Sequence, residues 1–336
     1  MPYESERHAA IESVLKGCRL CEAVRSHLPS NEAIGKEDGS PVTVADFGVQ
    51  AVVSRHLAAS FRNVLLVGEE DAGLLRQDEN ALLKEAVIDH VKRITPDQKD
   101  HEILEAIDQG AGEGGPKGRF WTLDPIDGTK GFLRGGQYAV ALALVEEGEV
   151  VLGVLGCPNL PLDVRETDGR RGYLFVAVRG EGSTMRGISN ASESRIEVAK
   201  IAHPSEARLC ESFESSHSSH EHAARITQIL GLHPSPLRMD SQCKYAVVAR
   251  GDAAIYLRLP TRQSYVETIW DHAAGSIIVQ EAGGKVTDMA GEPLDFSLGR
   301  RLSNNRGIVV TNGELHDLVL GAVQQVFEDV PTVVIS

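Results

Sequence analysis

Cysteine, aromatic and positively charged residues are all sparse in this chain: five Cys, 5% Phe, Trp and Tyr together, and 34 Lys plus Arg against 48 Asp plus Glu in 336 residues. Five cysteines, an odd number without the spacing of a disulfide framework, point to reduced thiols. The formal net charge of −14 argues against a nucleic-acid polymer as partner, because the phosphate backbone is gripped by clustered Lys and Arg. It leaves room for a small anionic ligand, since carboxylates gathered in one place can hold a divalent cation that in turn holds phosphate. No apolar run reaches the roughly 18 residues that span a bilayer, so no membrane partner is expected. The opening MPYESERHAA lacks the basic flank and apolar stretch of a signal peptide. A cytoplasmic location is the expectation, with the nucleus as the alternative.

Other signals are incomplete. Cys18 and Cys21 form a C-x-x-C, but no second ligand pair is spaced to complete a zinc site. Ala10, Ile11, Val14, Leu15, Cys18, Cys21 and Val24 instead follow helical spacing, which puts both thiols on the buried stripe of a helix from about Glu4 to His27, stopped by Pro29. The stretch DQGAGEGGPKG (108–118) lacks the GK[ST] ending of a kinase phosphate loop and precedes a strand rather than a helix. Its glycines favour a flap over a site. No internal repeat is present.

The length favours two domains. A second helix has Asp46 in its first turn, NVLLVGEED reads as a short buried strand ending in acids, and Leu74 to Val91 reads as helical. FWTLDPIDGT is a strand, and YAVALALVEEGEVVLGVLGCP is a β-hairpin turning at Glu146 to Glu149, continued by GYLFVAVRGEGSTMRG. From Arg195 onward, IEVAKI, AAIYLRL and GIVVTN read as strands, and DSQCKYAVVARG and DHAAGSIIVQEAGG as helices. The division expected is an α+β domain over 1–195 and an α/β domain over 196–336.

Clustered carboxylates at the ends of apolar elements are poor packing material, because a buried ion costs several kcal/mol unless paired or coordinated. Four places show them: Asp46 after PVTVA, Glu69 and Glu70 after LLVG, Asp124 and Asp127 in DPIDGT, and Asp271 in IWDHAAG. Any one alone reads as a surface charge or a helix cap; together they suit a hard divalent cation held by oxygen. Pro125 would turn the chain so that Asp124, Asp127 and the Ile126 carbonyl face one pocket. Gly128 would allow close backbone approach, and the amides of Gly128 and Thr129 would receive an anion at a helix start. The chemistry this suggests is metal-assisted phosphoester hydrolysis.

GEE (68–70), DPIDGT (124–129) and WDHAAG (270–275) resemble, in the same order, the three signatures of the inositol-monophosphatase-like, lithium-sensitive, magnesium-dependent phosphatases. SPVTVAD, GGPKGRFWTLDPIDGTKGFLRG, GCPNL, HSSH, DSQCKY and YLRLP are most similar to its 3′(2′),5′-bisphosphate nucleotidase subgroup. The resemblance implies a layered α-β-α-β-α sandwich of the sugar-phosphatase type with the site between an α+β and an α/β domain. It implies Glu69, Asp124, the Ile126 carbonyl, Asp127 and Asp271 as ligands of two or three Mg2+ ions, and Asp46 with Thr129 as activators of the attacking water. Whether Glu70 is a ligand stays open. Gly128 and Thr129 are expected at the phosphate, and His217, Ser241, Lys244 and Arg258 at the nucleotide. Without the resemblance, Lys244 and Arg258 would read as surface charges and HSSHEH as a solvated loop, with a transition-metal site there the minor alternative.

The implied substrate is 3′-phosphoadenosine 5′-phosphate, converted to AMP and phosphate, with the corresponding phosphosulfate as a further substrate. Inhibition by Li+, and more weakly by Na+, and a monomeric state are also implied. The alternatives are an inositol polyphosphate 1-phosphatase or inositol monophosphatase, and a non-catalytic sensor. The sensor would be marked by a missing acid, and none is missing.

Overall fold

Along Ala139–Glu146 successive side chains enter two different cores, Val140, Leu142 and Leu144 on one side and Ala139, Ala141 and Ala143 on the other. A strand covered on both faces reads as an unbroken apolar run. The computed structural model describes residues 2–26, 34–35, 41–164, 169–214, 219–262 and 265–328. Its strands are β1 (Ile34–Gly35), β2 (Pro41–Val42), β3 (Leu66–Gly68), β4 (Arg119–Asp127), β5 (Ala139–Glu146), β6 (Glu149–Pro161), β7 (Arg171–Val178), β8 (Gly182–Gly187), β9 (Ser194–Arg195), β10 (Leu209–Ser212), β11 (Leu237–Met239), β12 (Ile255–Arg258), β13 (Lys285–Thr287) and β14 (Ile308–Thr311). The helices are α1 (Glu4–Arg25), α2 (Val44–Ser60), α3 (Ala81–Ile94), α4 (Asp100–Asp108), α5 (Thr129–Arg134), α6 (His220–Leu230), α7 (Cys243–Ala249), α8 (Ala273–Glu281) and α9 (His316–Glu328).

Two sheets organise the chain. The first has the order β3-β4-β5-β6-β7-β8-β9, with β3 and β4 parallel and the remaining neighbours antiparallel. The second has the order β11-β10-β12-β14-β13, parallel around β10 and antiparallel around β14. Three cores separate five layers. Helices α1 to α4 pack on one face of the first sheet, through Val14, Phe47, Leu142 and Val154. Helices α7 and α8 fill the space between the sheets, where Leu155, Tyr245, Ile277 and Val310 meet. Helices α6 and α9 cover the far face of the second sheet through Ile226, Leu257, Val309 and Val323. The expected α-β-α-β-α layering is thus present. Strand β6 carries a glycine toward each neighbouring layer: a Cβ on Gly153 would lie 2.5 Å from Ile277, and one on Gly156 2.5 Å from Cys18.

Several local expectations change. Leu74 to Val91 is not one helix, because Gln77 is extended and two 3-10 turns precede α3. IEVAKI is not a strand. It crosses from one sheet to the other, Ile196 N–H donating to Ser183 and Val198 N–H to the end of α8 at Ala282. Its apolar alternation therefore serves packing along a connector. The glycine-rich segment does not overhang the acids: Ala111 bridges Val67 antiparallel, Gly112 N–H donates to Leu66, and the segment runs down the outer edge of β3 toward the β5–β6 turn, where Gly118 and Glu147 pair. It closes a sheet edge that would otherwise present unpaired backbone groups. Cys18 and Cys21 are fully buried free thiols on the expected stripe of α1.

Candidate active site

The acids of DPIDGT sit at the end of β4, and a β-bulge brings them together. Asp124 opposes Ala141 and Asp127 opposes Ala139, so three steps on β4 match two on β5. In a regular strand residues three apart point to opposite faces; one extra residue restores them to the same side. Pro125 occupies the bulge, where no ladder N–H is required. The expected turn is thus a bulge within a strand, with Ile126 turned into the core at 1% exposure.

Carboxylate oxygens of Asp124, Asp127 and Asp271 all lie within 4.8 Å of one another. Asp124 is 2% exposed and its Oδ1 is a buried acceptor without a hydrogen-bond partner. Burial raises its pKa well above the ordinary carboxylate range, and the charges of Glu69, Asp127, Asp271 and Asp46 raise it further. Burial and Asp271 push Asp127 up to about 6, against the opposing pull of Lys244, Arg258 and the Gln242 N–H. An orphaned buried oxygen among like charges is a costly arrangement for a chain alone, and all-oxygen donors at this spacing fit a hard divalent cation.

Each remaining acid is positioned by a local device. Thr43 caps α2, and Asp46 Oδ2 accepts from Thr43 N–H at 2.8 Å and from its hydroxyl at 2.6 Å, a capping box. Asp46 Oδ1 accepts from the Thr129 hydroxyl at 3.3 Å, which also lies 3.2 Å from the Ile126 carbonyl. Glu69 follows β3, its N–H donating to Leu123 beside Asp124. Glu70 is 5% exposed, and its backbone is clasped by Gln50, one turn after Asp46 on α2. Gly128 adopts φ 87°, and a Cβ there would lie 2.9 Å from Ser241. Thr129 opens α5, a helix of six residues.

Across the cleft, the Gln242 N–H donates to Asp127 at 2.6 Å, and its side chain bridges the Trp270 carbonyl and the Gly275 N–H. Lys244 is 5% exposed; its ammonium bonds the Ser241 carbonyl at 2.8 Å and lies 5.3 Å from the Tyr256 ring centre, and burial lowers its pKa. Arg258 stands 3.6 Å from Asp271 and pairs with Glu267. Against burial, which pushes it up, Arg258 and His272 hold Glu267 down to about 2. Of the expected residues, Asp46, Glu69, Asp124, Ile126, Asp127, Gly128, Thr129, Ser241 and Asp271 gather at this junction, with Lys244 and Arg258 behind it. His217 lies outside the described residues. Within the same HSSHEH stretch His220 faces the Ser212 carbonyl and His222 packs on Phe327, so those two rings do not converge.

Sequence reading passed over Gln50, Gln242, Glu267, His272 and Arg300. Gln50 was accessible, four residues after Asp46 on one helix face. The others act through tertiary contacts that leave no spacing signal.

Carboxylates converging around the buried Asp124 at the junction of two sheets within an α-β-α-β-α sandwich define a metal-dependent phosphatase architecture. The chain belongs to the inositol monophosphatase family, whose family model matches residues 5–328. Among curated relatives it is 45% identical to a 3′(2′),5′-bisphosphate nucleotidase of Oryza sativa, covering 98% of this chain and 96% of that one. It is 41% identical to one of Emericella nidulans, covering 98% and 100%, and 46% identical to one of Arabidopsis thaliana, covering 96% and 97%. Among solved structures its fold is similar to an inositol monophosphatase of Thermotoga maritima (TM-score 0.65, 22% identity, 95% and 96% covered). A second neighbour is the enzyme of Anabaena (TM-score 0.60, 20% identity, 97% of each).

Proposed function

We propose that this chain is a magnesium-dependent 3′(2′),5′-bisphosphate nucleotidase that removes the 3′-phosphate of 3′-phosphoadenosine 5′-phosphate, leaving AMP. The observation that carries the reading is the unpartnered, buried Asp124 Oδ1 among converging carboxylates, within a chain whose curated relatives bear that name over nearly their full length. Glu69, Asp124, Asp127, Asp271 and the Ile126 carbonyl would hold two or three Mg2+ ions. When bound, magnesium would polarise the phosphate and acidify the attacking water.

The chain's own groups do the rest. The Thr129 hydroxyl, already directed at Asp46 Oδ1, takes up the water proton and passes its own to Asp46 as the new P–O bond forms; the bond to the ribose 3′-oxygen breaks, and that oxygen takes a proton from solvent water to leave as the 3′-hydroxyl of AMP. Asp46 Oδ2 stays committed to the α2 cap, which fixes Oδ1 toward Thr129. Gly128 and Thr129 approach the reacting phosphate, while Ser241, Lys244 and Arg258, with His217, receive the 5′-phosphate and nucleoside. The phosphosulfate is a second substrate on this reading, Li+ and more weakly Na+ compete for a cation position, and one copy of the chain suffices, since every proposed ligand comes from it. Five free cysteines fit a reducing cytoplasmic setting. No helix among the described residues is long and apolar enough to cross a membrane.

Phosphate release from 3′-phosphoadenosine 5′-phosphate, with magnesium, with chelator and with added lithium, tests this. Magnesium-dependent turnover, blocked by lithium and reduced by about 10³-fold or more in Asp124→Asn, is expected. Turnover of inositol 1,4-bisphosphate but not of the nucleotide would overturn the substrate.

A further inference from the structure

Behind the acids runs a buried relay that the metal and nucleotide assignments leave unused. The Tyr245 hydroxyl lies 2.7 Å from His272 Nδ1, and His272 Nε2 lies 3.1 Å from Glu267 Oε2. Glu267 in turn receives Arg258 on both oxygens, Nε to Oε1 at 2.9 Å and Nη2 to Oε2 at 2.9 Å. Tyr245 and His272 are fully buried, and Glu267 is 4% exposed. A carboxylate in such a place is tolerated only when it is paired on every side. Here it is gripped bidentately from one side and braced by an imidazole from the other.

A guanidinium carries five N–H donors in one rigid plane. Glu267 takes the Nε–Nη2 edge of Arg258; Nη2 also reaches the Tyr265 hydroxyl at 3.1 Å, while Nη1 has no hydrogen-bond partner among the described residues. Holding one edge sets the plane and hence the direction of the remaining donors. It also offsets the pull of Asp271, 3.6 Å from Nη2, which would otherwise draw the guanidinium toward the acid cluster.

We propose that Glu267 is a positioning residue for nucleotide recognition: it fixes the plane of Arg258 so that the Nη1 edge is presented to the non-reacting 5′-phosphate, with His272 and Tyr245 holding Glu267 in place. The inference rests on the reading of Arg258 as a 5′-phosphate contact.

A double-variant cycle tests it in the full chain, with 3′-phosphoadenosine 5′-phosphate as substrate and AMP as product inhibitor. Glu267→Gln should raise KM and the AMP inhibition constant about tenfold, the loss of roughly one charge-assisted bond, with kcat changed by no more than about twofold. Arg258→Ala should act in the same direction, and adding Glu267→Gln to it should cost nothing more. Equal effects of Glu267→Gln with and without Arg258 would overturn the proposal, as would a shift in magnesium requirement with KM unchanged. If Arg258→Ala leaves KM and AMP inhibition untouched, the nucleotide role of Arg258 itself fails, a separate result. Should Glu267→Gln not fold, as judged by near-ultraviolet circular dichroism, Tyr245→Phe removes only the outer brace. It should raise KM by a smaller factor, and only while Arg258 is present; no Arg258-dependent rise would overturn the proposal.

Discussion

At the scale of single residues, chemistry and packing compete for the same space. Asp124 lies in the interior among like charges, an arrangement that a bound cation would stabilise, and Pro125 and Gly128 are there for backbone reasons that the acids impose. Gly275 shows the packing side: a Cβ at this position would lie 2.4 Å from the ring of Tyr245, the residue that braces His272. Gly275→Ala is therefore expected to destabilise the protein by about 1–3 kcal/mol through overpacking, read as a lower urea midpoint. An unchanged midpoint would mean that the Tyr245 ring can move without cost. The acids themselves were legible in the sequence, because clustered carboxylates beside apolar runs have few structural uses. Their common facing was not, since it depends on a bulge whose extra residue is counted only against β5.

At the scale of elements, strands buried on both faces announced themselves by length and composition, and β4 to β7 lie where the apolar runs predicted. The short strands β10, β11 and β13 went unread, because three or four residues carry too little periodicity to separate a strand from a connector. The same ambiguity made IEVAKI look like a strand. His316 illustrates how such short pieces are tied together. Buried at the start of α9, its ring pairs at 3.0 Å with Thr287 of β13 and at 3.0 Å with Thr311 of β14. Burial lowers its pKa to about 4, so the folded state disfavours the charged ring. Its stabilising share is complete above about pH 6.5 and is lost as pH falls toward 4, with a slope up to about 1.4 kcal/mol per pH unit. Urea midpoints measured at pH 7 and pH 5 should fall less in His316→Gln than in the unaltered protein; an equal fall would show that this ring is not the proton sink.

At the scale of the whole molecule, the acids come from both halves and need a common frame. Arg300 supplies part of it: its guanidinium donates to the carbonyls of Gly68 at 2.7 Å, Gly112 at 2.8 Å and Gly110 at 3.2 Å, and lies 4.8 Å from the Trp270 ring centre. Gly68 precedes Glu69 and Trp270 precedes Asp271, so this one side chain ties together the two segments that carry acids from opposite halves. Arg300→Met should lower stability by about 2–3 kcal/mol, the worth of the lost carbonyl bonds. It should also raise the magnesium concentration needed to lift the melting temperature. A variant with a lower melting temperature but an unaltered magnesium dependence would show that Arg300 braces the fold without setting the acids.

By itself the sequence determined the chemical inventory: which acids exist, which apolar runs flank them, and that their order resembles one phosphatase family. Those are local properties, carried by residue type and spacing. Only the tertiary structure decided which oxygens converge, that the glycine-rich segment seals an edge rather than covering the acids, and that Glu267, His272 and Tyr245 stand in line behind Arg258. Each of those depends on chain segments that meet across a sheet or between layers, and no periodicity within a segment encodes its partner.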